Sequence, residues 1–275
     1  MKAFLDAVLD TAWPALFLDF DGTLAPIEPR PEGVRLTPAR RRLLRRLAAK
    51  LPLAVISGRS LDDLVARIDV EGLTWAGNHG LEIRTGQTVW THPAATRARS
   101  RLRTALGRIA VGLPAIPGAL LEDKGATASI HFRVSPVGSG TKVARLVRKS
   151  LAGLEPWLEA RPGKKVREIR PRAAWDKGAA VRRILSGLKP GTTPVYIGDD
   201  RTDEDAFLVL AGKGPTARVG GRGSTAARFH LTSVNEVWAF LRALDENRES
   251  PTRVRTAESP FTGGRRLGPG SGRAG

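Results

Sequence analysis

Leu16-Phe17-Leu18-Asp19-Phe20-Asp21-Gly22-Thr23-Leu24 decides how this chain is read. An apolar run of strand character stops at two carboxylates, two positions apart, and then a glycine. That is a buried strand carrying charge to its C-terminal tip, and in an open parallel α/β sheet ligands bind in the crevice beyond those tips. Two neighbouring carboxylates repel unless something positive lies between them, and a hard divalent cation such as Mg2+ is the natural counterion. One carboxylate, on Asp19, can ligate and attack while Asp21 moves a proton, and Gly22 lets the chain turn sharply away. At background frequencies of about 1 in 20 per residue, the four specified positions of D-x-D-G-T coincide by chance in roughly 1 of 600 chains this long.

Three further segments line up behind the first. Leu53-Ala54-Val55-Ile56 ends in Ser57-Gly58-Arg59, a second strand tip with a hydroxyl and backbone N–H groups suited to phosphate oxygens. Trp175-Asp176-Lys177-Gly178 opens an amphipathic helix with the stripe Val181, Ile184, Leu185, Leu188. Pro194-Val195-Tyr196-Ile197 then ends in Gly198-Asp199-Asp200-Arg201-Thr202-Asp203-Glu204-Asp205, a tip crowded with acid. Singly, Asp21-Gly22 is a common turn pair, Ser57-Gly58 a loop, Lys177 a solvated helix start, and the acids at 203–205 complements to a helix dipole. In one order, three of them directly after apolar strands, they read as a phosphoryl-transfer site.

These four segments resemble the motifs of the haloacid dehalogenase (HAD) superfamily of phosphatases. More narrowly, Gly198 to Phe207 together with Gly77-Asn78-His79-Gly80 is similar to the trehalose-6-phosphate phosphatase family, over about residues 10–245. The resemblance implies Asp19 as nucleophile and Asp21 as general acid and base, with the Asp21 carbonyl a further metal ligand. It implies Asp199 as a ligand of Mg2+, with Asp200 and Asp203 either ligating directly or orienting metal-bound waters. Ser57 and Lys177 would hold the transferring phosphoryl group, with a backbone or hydroxyl contact from Thr23, and Gly58 and Arg59 are substrate-binding candidates at the same tip. Asn78 and His79 would meet sugar at the cap, and Glu122, Lys124 and Glu168 match positions that hold glucose hydroxyls. Ile130-His131-Phe132-Arg133 is similar to a His-Tyr-Arg strand of the family; Phe132 lacks the hydroxyl, and Arg133 stays a substrate-binding candidate. A sucrose-phosphate or mannosyl-phosphoglycerate phosphatase of the same superfamily, or a phosphosugar sensor without catalysis, are the competing readings.

Composition bounds the rest. With no Cys and no His/Cys cluster, a disulfide scaffold and a zinc site are excluded, so any metal takes oxygen ligands. Asp6 and Asp10 interrupt the N-terminal segment as a signal peptide, and no run nears the roughly 18 apolar residues of a membrane span, so a soluble cytoplasmic protein is expected. The net charge of +18 raises nucleic acid or an anionic membrane as partners. The arginines are dispersed, as in Arg40-Arg41-Arg42, Arg45-Arg46, Arg97, Arg99, Arg101, Arg103 and Arg182-Arg183, with few aromatic partners. They read as a solvated surface that helps attract a dianionic ester. A monomer acting on a small phosphosugar is expected, with neither nucleic acid nor membrane as partner.

The pattern predicts an α/β fold, a doubly wound, Rossmann-like parallel sheet with an inserted α+β cap. Residues 1–13 read as a lead-in helix, and Pro26, Pro29, Pro31 and Pro38 as a stiff connector. Thr37 caps a helix to Lys50, and Ser60 one from Leu61 to Ile68. Strands follow near 73–76, 81–83 and 88–90. A helix at 94–113, strands at 119–122 and 126–133, a helix at 142–151 and a strand at 165–170 form an αββαβ cap over 94–171. The core is then 1–93 and 172–245, closed by strands near 217–219 and 228–231 and a helix at 233–244. Gly220 to Gly223 reads as a flexible loop, and 246–275 as a disordered basic tail.

Overall fold

The computed structural model describes residues 1–28, 33–221 and 223–248. The first part of the core runs α1 (Lys2–Leu9), β1 (Pro14–Leu18), α2 (Pro38–Lys50), β2 (Leu53–Ile56), α3 (Leu61–Ile68), β3 (Thr74–Gly77), β4 (Glu82–Thr85) and β5 (Thr88–Thr91). The cap follows as α4 (Pro93–Gly112), β6 (Leu120–Asp123), β7 (Ala128–His131), α5 (Ser139–Ser150), β8 (Leu158–Gly163) and β9 (Val166–Pro171). The core resumes with α6 (Lys177–Leu185), β10 (Thr193–Gly198), α7 (Glu204–Leu210), β11 (Thr216–Val219), β12 (Phe229–Leu231) and α8 (Val234–Asn247).

Helix starts follow local chemistry. Thr37 accepts a hydrogen bond from the Arg40 N–H with Pro38 at the first helical position, Ser60 accepts from Asp63, Asp176 from Ala179 and Ser233 from Glu236. The core sheet has the order β12-β11-β10-β1-β2-β3-β4-β5 and is parallel from β12 across to β3. Period-two alternation sorts its side chains. Leu16, Leu18, Leu53, Val55, Val195 and Ile197 pack on one face with residues of α1, α2, α3 and α8. Ala15, Phe17, Ala54, Ile56 and Tyr196 pack on the other with residues of α6 and α7.

The doubly wound α/β core with its mostly parallel sheet and inserted α+β cap is as expected, and two details differ. The sheet is not parallel throughout, because β3–β4 and β4–β5 pair antiparallel. The connections there are a short 3-10 turn, Asn78–Gly80, and a hairpin at Gly86, and neither is long enough for the crossover a parallel pair needs. The cap is αββαββ, with a four-stranded antiparallel sheet ordered β6-β7-β9-β8. Its unforeseen strand β8 contains Pro162 and Gly163, tolerated because β8 lies at the sheet edge. Ala105, Ile109, Ile130, Val143, Val147 and Ile169 form the cap's own apolar core. Helix α8 continues to Asn247, past the expected start of the tail, while 249–275, Pro29, Pro31 and Arg222 lie outside the described residues. No helix among the described residues is long and apolar enough to cross a membrane.

Candidate active site

Because β2, β1 and β10 are neighbours, their C-terminal tips bring Ser57, Asp19 and Asp199 to one edge of the sheet. Lys177, at the start of α6 and only 3% exposed, reaches across to them. Its Nζ donates to Asp19 Oδ1 at 2.8 Å and to Asp203 Oδ1 at 2.7 Å. Asp203 is fully buried and takes two sets of donors. Oδ1 accepts from Lys177 and from the Tyr196 hydroxyl at 2.6 Å, and Oδ2 from the backbone N–H groups of Asp199 at 3.1 Å and Asp200 at 2.9 Å. Both oxygens are spent, so Asp203 anchors the loop and the lysine. Asp200 is exposed and accepts from the Asp203 N–H in a capping box, so it shapes the same turn.

Oxygens of Asp19, Asp199 and Asp203 lie within 4.8 Å of one another. These three carboxylates face one ammonium, leaving two negative charges. Burial, only partly offset by Lys177, and the Asp203 and Asp199 charges push the Asp19 carboxyl up. Asp199 is pushed up to about 6, by burial and then by Asp203. Lys177 goes the other way from a buried lysine: desolvation pulls it down, but Asp19 and Asp203 overcome that and hold it charged. Asp199 Oδ1 is buried without a hydrogen-bond partner. An oxygen-only donor set with surplus negative charge and an orphaned carboxylate oxygen fits a hard divalent cation held by Asp19 and Asp199. Gly22, at φ +85°, closes the turn against this group; any Cβ there would overlap the Asp199 carboxylate.

The structure places Asp21 beside Arg59 rather than in the cluster. Arg59 Nε and Nη2 donate to the two oxygens of Asp21 at 2.7 and 2.6 Å, while Nη1 donates to Asp63 at 2.9 Å. Ser57 is buried, and its hydroxyl accepts from the Arg59 N–H. The Thr23 hydroxyl is buried with no protein partner, next to Asp21 in the turn. Gly58 leaves room for His79, since a Cβ would come 2.7 Å from the imidazole.

Across the seam lies the polar face of the cap sheet. Glu122 opposes Ser129 and Ser129 opposes Glu168, so the three share that face, while Leu121, Ile130 and Ile169 turn to the cap's core or its margin. His79 Nε2 is 3.3 Å from Glu168 Oε1. Burial acts to raise the Glu168 carboxyl, but His79 chiefly, then Lys124 and Arg170, bring it down to about 2. Lys124 Nζ donates to the Gly58 carbonyl at 3.1 Å and stands 3.8 Å from Glu122, which bonds His131 at 2.7 Å. Asn78 departs from its expected place. It is fully buried: its amide donates to Glu82 at 2.7 Å and to the Lys124 carbonyl at 3.0 Å, and its carbonyl accepts from Thr127 at 2.6 Å. That residue therefore joins core to cap. Arg133 is exposed in the turn after β7, at the end of that strand away from Thr127, and is not brought to the cluster.

Tyr196, Asp63, Glu82 and Thr127 join the site without being foreseen, and His131, noted only within the His-Tyr-Arg-like strand, bonds Glu122. Tyr196 carried a signal, as the chain's one tyrosine, in an aliphatic strand that leads into the acids. The model of the trehalose-phosphatase family matches residues 17–233. The chain is 36% identical over 249 residues to a trehalose-phosphate phosphatase of Mycobacterium avium, covering 86% of this chain and 63% of that protein. It is 40% identical over 242 residues to an uncharacterized glycosyl hydrolase of Mycobacterium tuberculosis, covering 84% of this chain and 18% of that protein. The chain thus spans less than two thirds of the length of these relatives. Among solved structures it resembles the C-terminal domain of the C. albicans trehalose-6-phosphate phosphatase, with TM-score 0.74, 22% identity, and coverage of 89% of this chain and 96% of that one. A trehalose-6-phosphate phosphatase related protein gives TM-score 0.76 at 22% identity, over 84% of this chain and 97% of that one. The chain belongs to the trehalose-phosphatase family.

Proposed function

We propose that this chain hydrolyses trehalose 6-phosphate to trehalose and phosphate, through an aspartyl-phosphate on Asp19 and with Mg2+ as cofactor. The observation that carries the reading is the buried Asp19–Lys177–Asp203 chain facing, across one seam, the cap's Glu122, Lys124 and Glu168. Asp19 attacks phosphorus with the oxygen that Lys177 leaves unbonded, and the bond from phosphorus to the sugar oxygen breaks. Asp21 delivers a proton to that departing oxygen. It then takes one from the water that attacks the phosphoryl group, releasing phosphate and restoring Asp19. Lys177, Ser57, Thr23 and the N–H groups of the Ser57 turn hold the phosphoryl oxygens. Mg2+, held by Asp19, Asp199 and the Asp21 carbonyl, supplies positive charge against the carboxylates and the phosphate. The cap acids and Lys124 read glucose hydroxyls. The protein acts as a cytoplasmic monomer on a small molecule, with no role for nucleic acid or membrane.

Phosphate release from a panel of sugar phosphates, with and without Mg2+, tests this. Release that needs Mg2+ and favours trehalose 6-phosphate is expected. Mg2+-independent release, or preference for sucrose 6-phosphate or mannosyl-phosphoglycerate, would overturn it.

A further inference from the structure

We propose that Arg59 is a positioning residue for Asp21 and that Asp63 is its anchor; this rests on the reading of Asp21 as the leaving-group acid. Asp21 follows the strand tip in a glycine turn, and its side chain is 36% exposed, so nothing in its own segment fixes the plane of its carboxylate. Arg59 does. Its guanidinium grips both oxygens of Asp21 in a fork, which sets plane and direction together in a way a lysine could not. The guanidinium is itself held: Nη1 bonds Asp63 at 2.9 Å, and its carbon lies 5.4 Å from the centre of the Phe20 ring. Asp63 in turn accepts from Arg67 Nε at 2.7 Å, and Arg67, buried, donates to the Val34 carbonyl at 2.9 Å.

The result is an alternating chain of charge from the rim of the cleft into the body of the core. A phosphate ligand would keep its paired N–H groups open for oxyanions; Arg59 spends them on Asp21. The turn that carries Arg59 is also the one the cap touches, through Lys124 on the Gly58 carbonyl. Orientation of the acid is thereby set before an ester arrives, which is the part of catalysis that fixed geometry supplies.

The test compares leaving groups. kcat/KM covers only the steps through leaving-group departure, so the later hydrolysis of aspartyl-phosphate does not enter. Trehalose 6-phosphate and glucose 6-phosphate lose alkoxides that need a proton, whereas p-nitrophenyl phosphate loses a stable anion. Asp63→Asn and Arg59→Lys should each lower kcat/KM about tenfold or more on both sugar esters and less than about threefold on the aryl ester, with melting temperature as the check on folding. In an Asp21→Asn background, Arg59→Lys should add less than about twofold on the sugar esters, because the group it positions is gone. Equal losses on all three esters would make Arg59 a phosphate or fold contact, and a loss confined to trehalose 6-phosphate would make it a sugar contact; either overturns the proposal. Asp21→Asn alone separates the two ideas. If it lacks the selective loss on sugar esters, the acid reading fails; if it shows the loss and both other variants do not, only the positioning role fails.

Discussion

Asp203→Asn should destabilise the protein even though it removes a negative charge from a crowded acidic cluster. The amide keeps the shape but turns one acceptor atom into a donor. Whichever way it lies, the new N–H group points at donors that cannot accept, either Lys177 or the two backbone N–H groups, while the Tyr196 hydroxyl can turn to accept. The Lys177 bond or the two backbone bonds are lost, and in either case Lys177 keeps only Asp19 as a charged partner. Removing one partner of a buried ion pair costs about 3–5 kcal/mol. For a folded body of this size that is a fall of about 6–20 °C in Tm, at about 2–4 °C per kcal/mol. Melting followed by circular dichroism in chelator reads it, so that metal binding to the native state does not mask the change. Asp199→Asn, in the same buffer, should raise Tm, because it removes a charge that burial and Asp203 oppose and whose Oδ1 has no partner. The reasoning is refuted if Asp203→Asn melts at or above the parent, or if both substitutions shift Tm the same way.

Asp19→Asn should abolish turnover with the fold intact, and retention of a tenth of the parent kcat would exclude a covalent aspartyl-phosphate. Chelation should eliminate phosphate release and added Mg2+ restore it, measured as inorganic phosphate. Glu122→Ala and Glu168→Ala should lower kcat/KM for trehalose 6-phosphate roughly tenfold to a hundredfold while sparing p-nitrophenyl phosphate. Lys124→Ala should affect both esters, since its ammonium also holds the Gly58 carbonyl. In chelator, the folded pKa of Asp199, near 6, lies above the ordinary 3.8, so the native state binds the extra proton between those values. Stability relative to Asp199→Asn should therefore be highest below about pH 4 and fall as pH rises to 6, as urea titrations at stepped pH would show.

Where local chemistry decides an element, the chain declares it: Thr37-Pro38 and Ser60 mark helix starts, and Leu53–Ile56 is a strand as read. The antiparallel turn of β4 and β5 was also legible, in connections too short for a crossover, but the alternation of strands and helices elsewhere overrode it. Strand β8 was hidden because Pro162 and Gly163 suit only an edge, and edges are fixed by tertiary context. In the site, the acids at 199, 200 and 203 look equivalent along the chain; only the donors around each oxygen distinguish an anchor, a cap and an oxygen left open. Asn78 shows the converse. A polar residue at a strand tip can face ligand or fasten two bodies, and of its partners only Glu82 is near in sequence; Thr127 and the Lys124 carbonyl, which make it a fastener, are 49 and 46 positions away.

The bond between Lys177 and Asp19 joins residues 158 positions apart, and β1 takes β10 as its neighbour on one side. The centre of the core sheet is thus made from two segments far apart in the chain, with the cap between them. The cap closes through local hairpins, β6 to β7 and β8 to β9, and its two connections to the core meet where His92 lies 4.6 Å from Trp175. Local pairings form early and distant ones late. On a ribosome adding about 5–20 residues per second, β1 waits roughly 9–36 s for β10, its edge open to any other strand. Folding of the cap in that interval shortens the search by bringing residues 92 and 175 together. The pocket's charge balance arrives late, when the lysine that offsets Asp19 reaches a strand tip made 158 residues earlier.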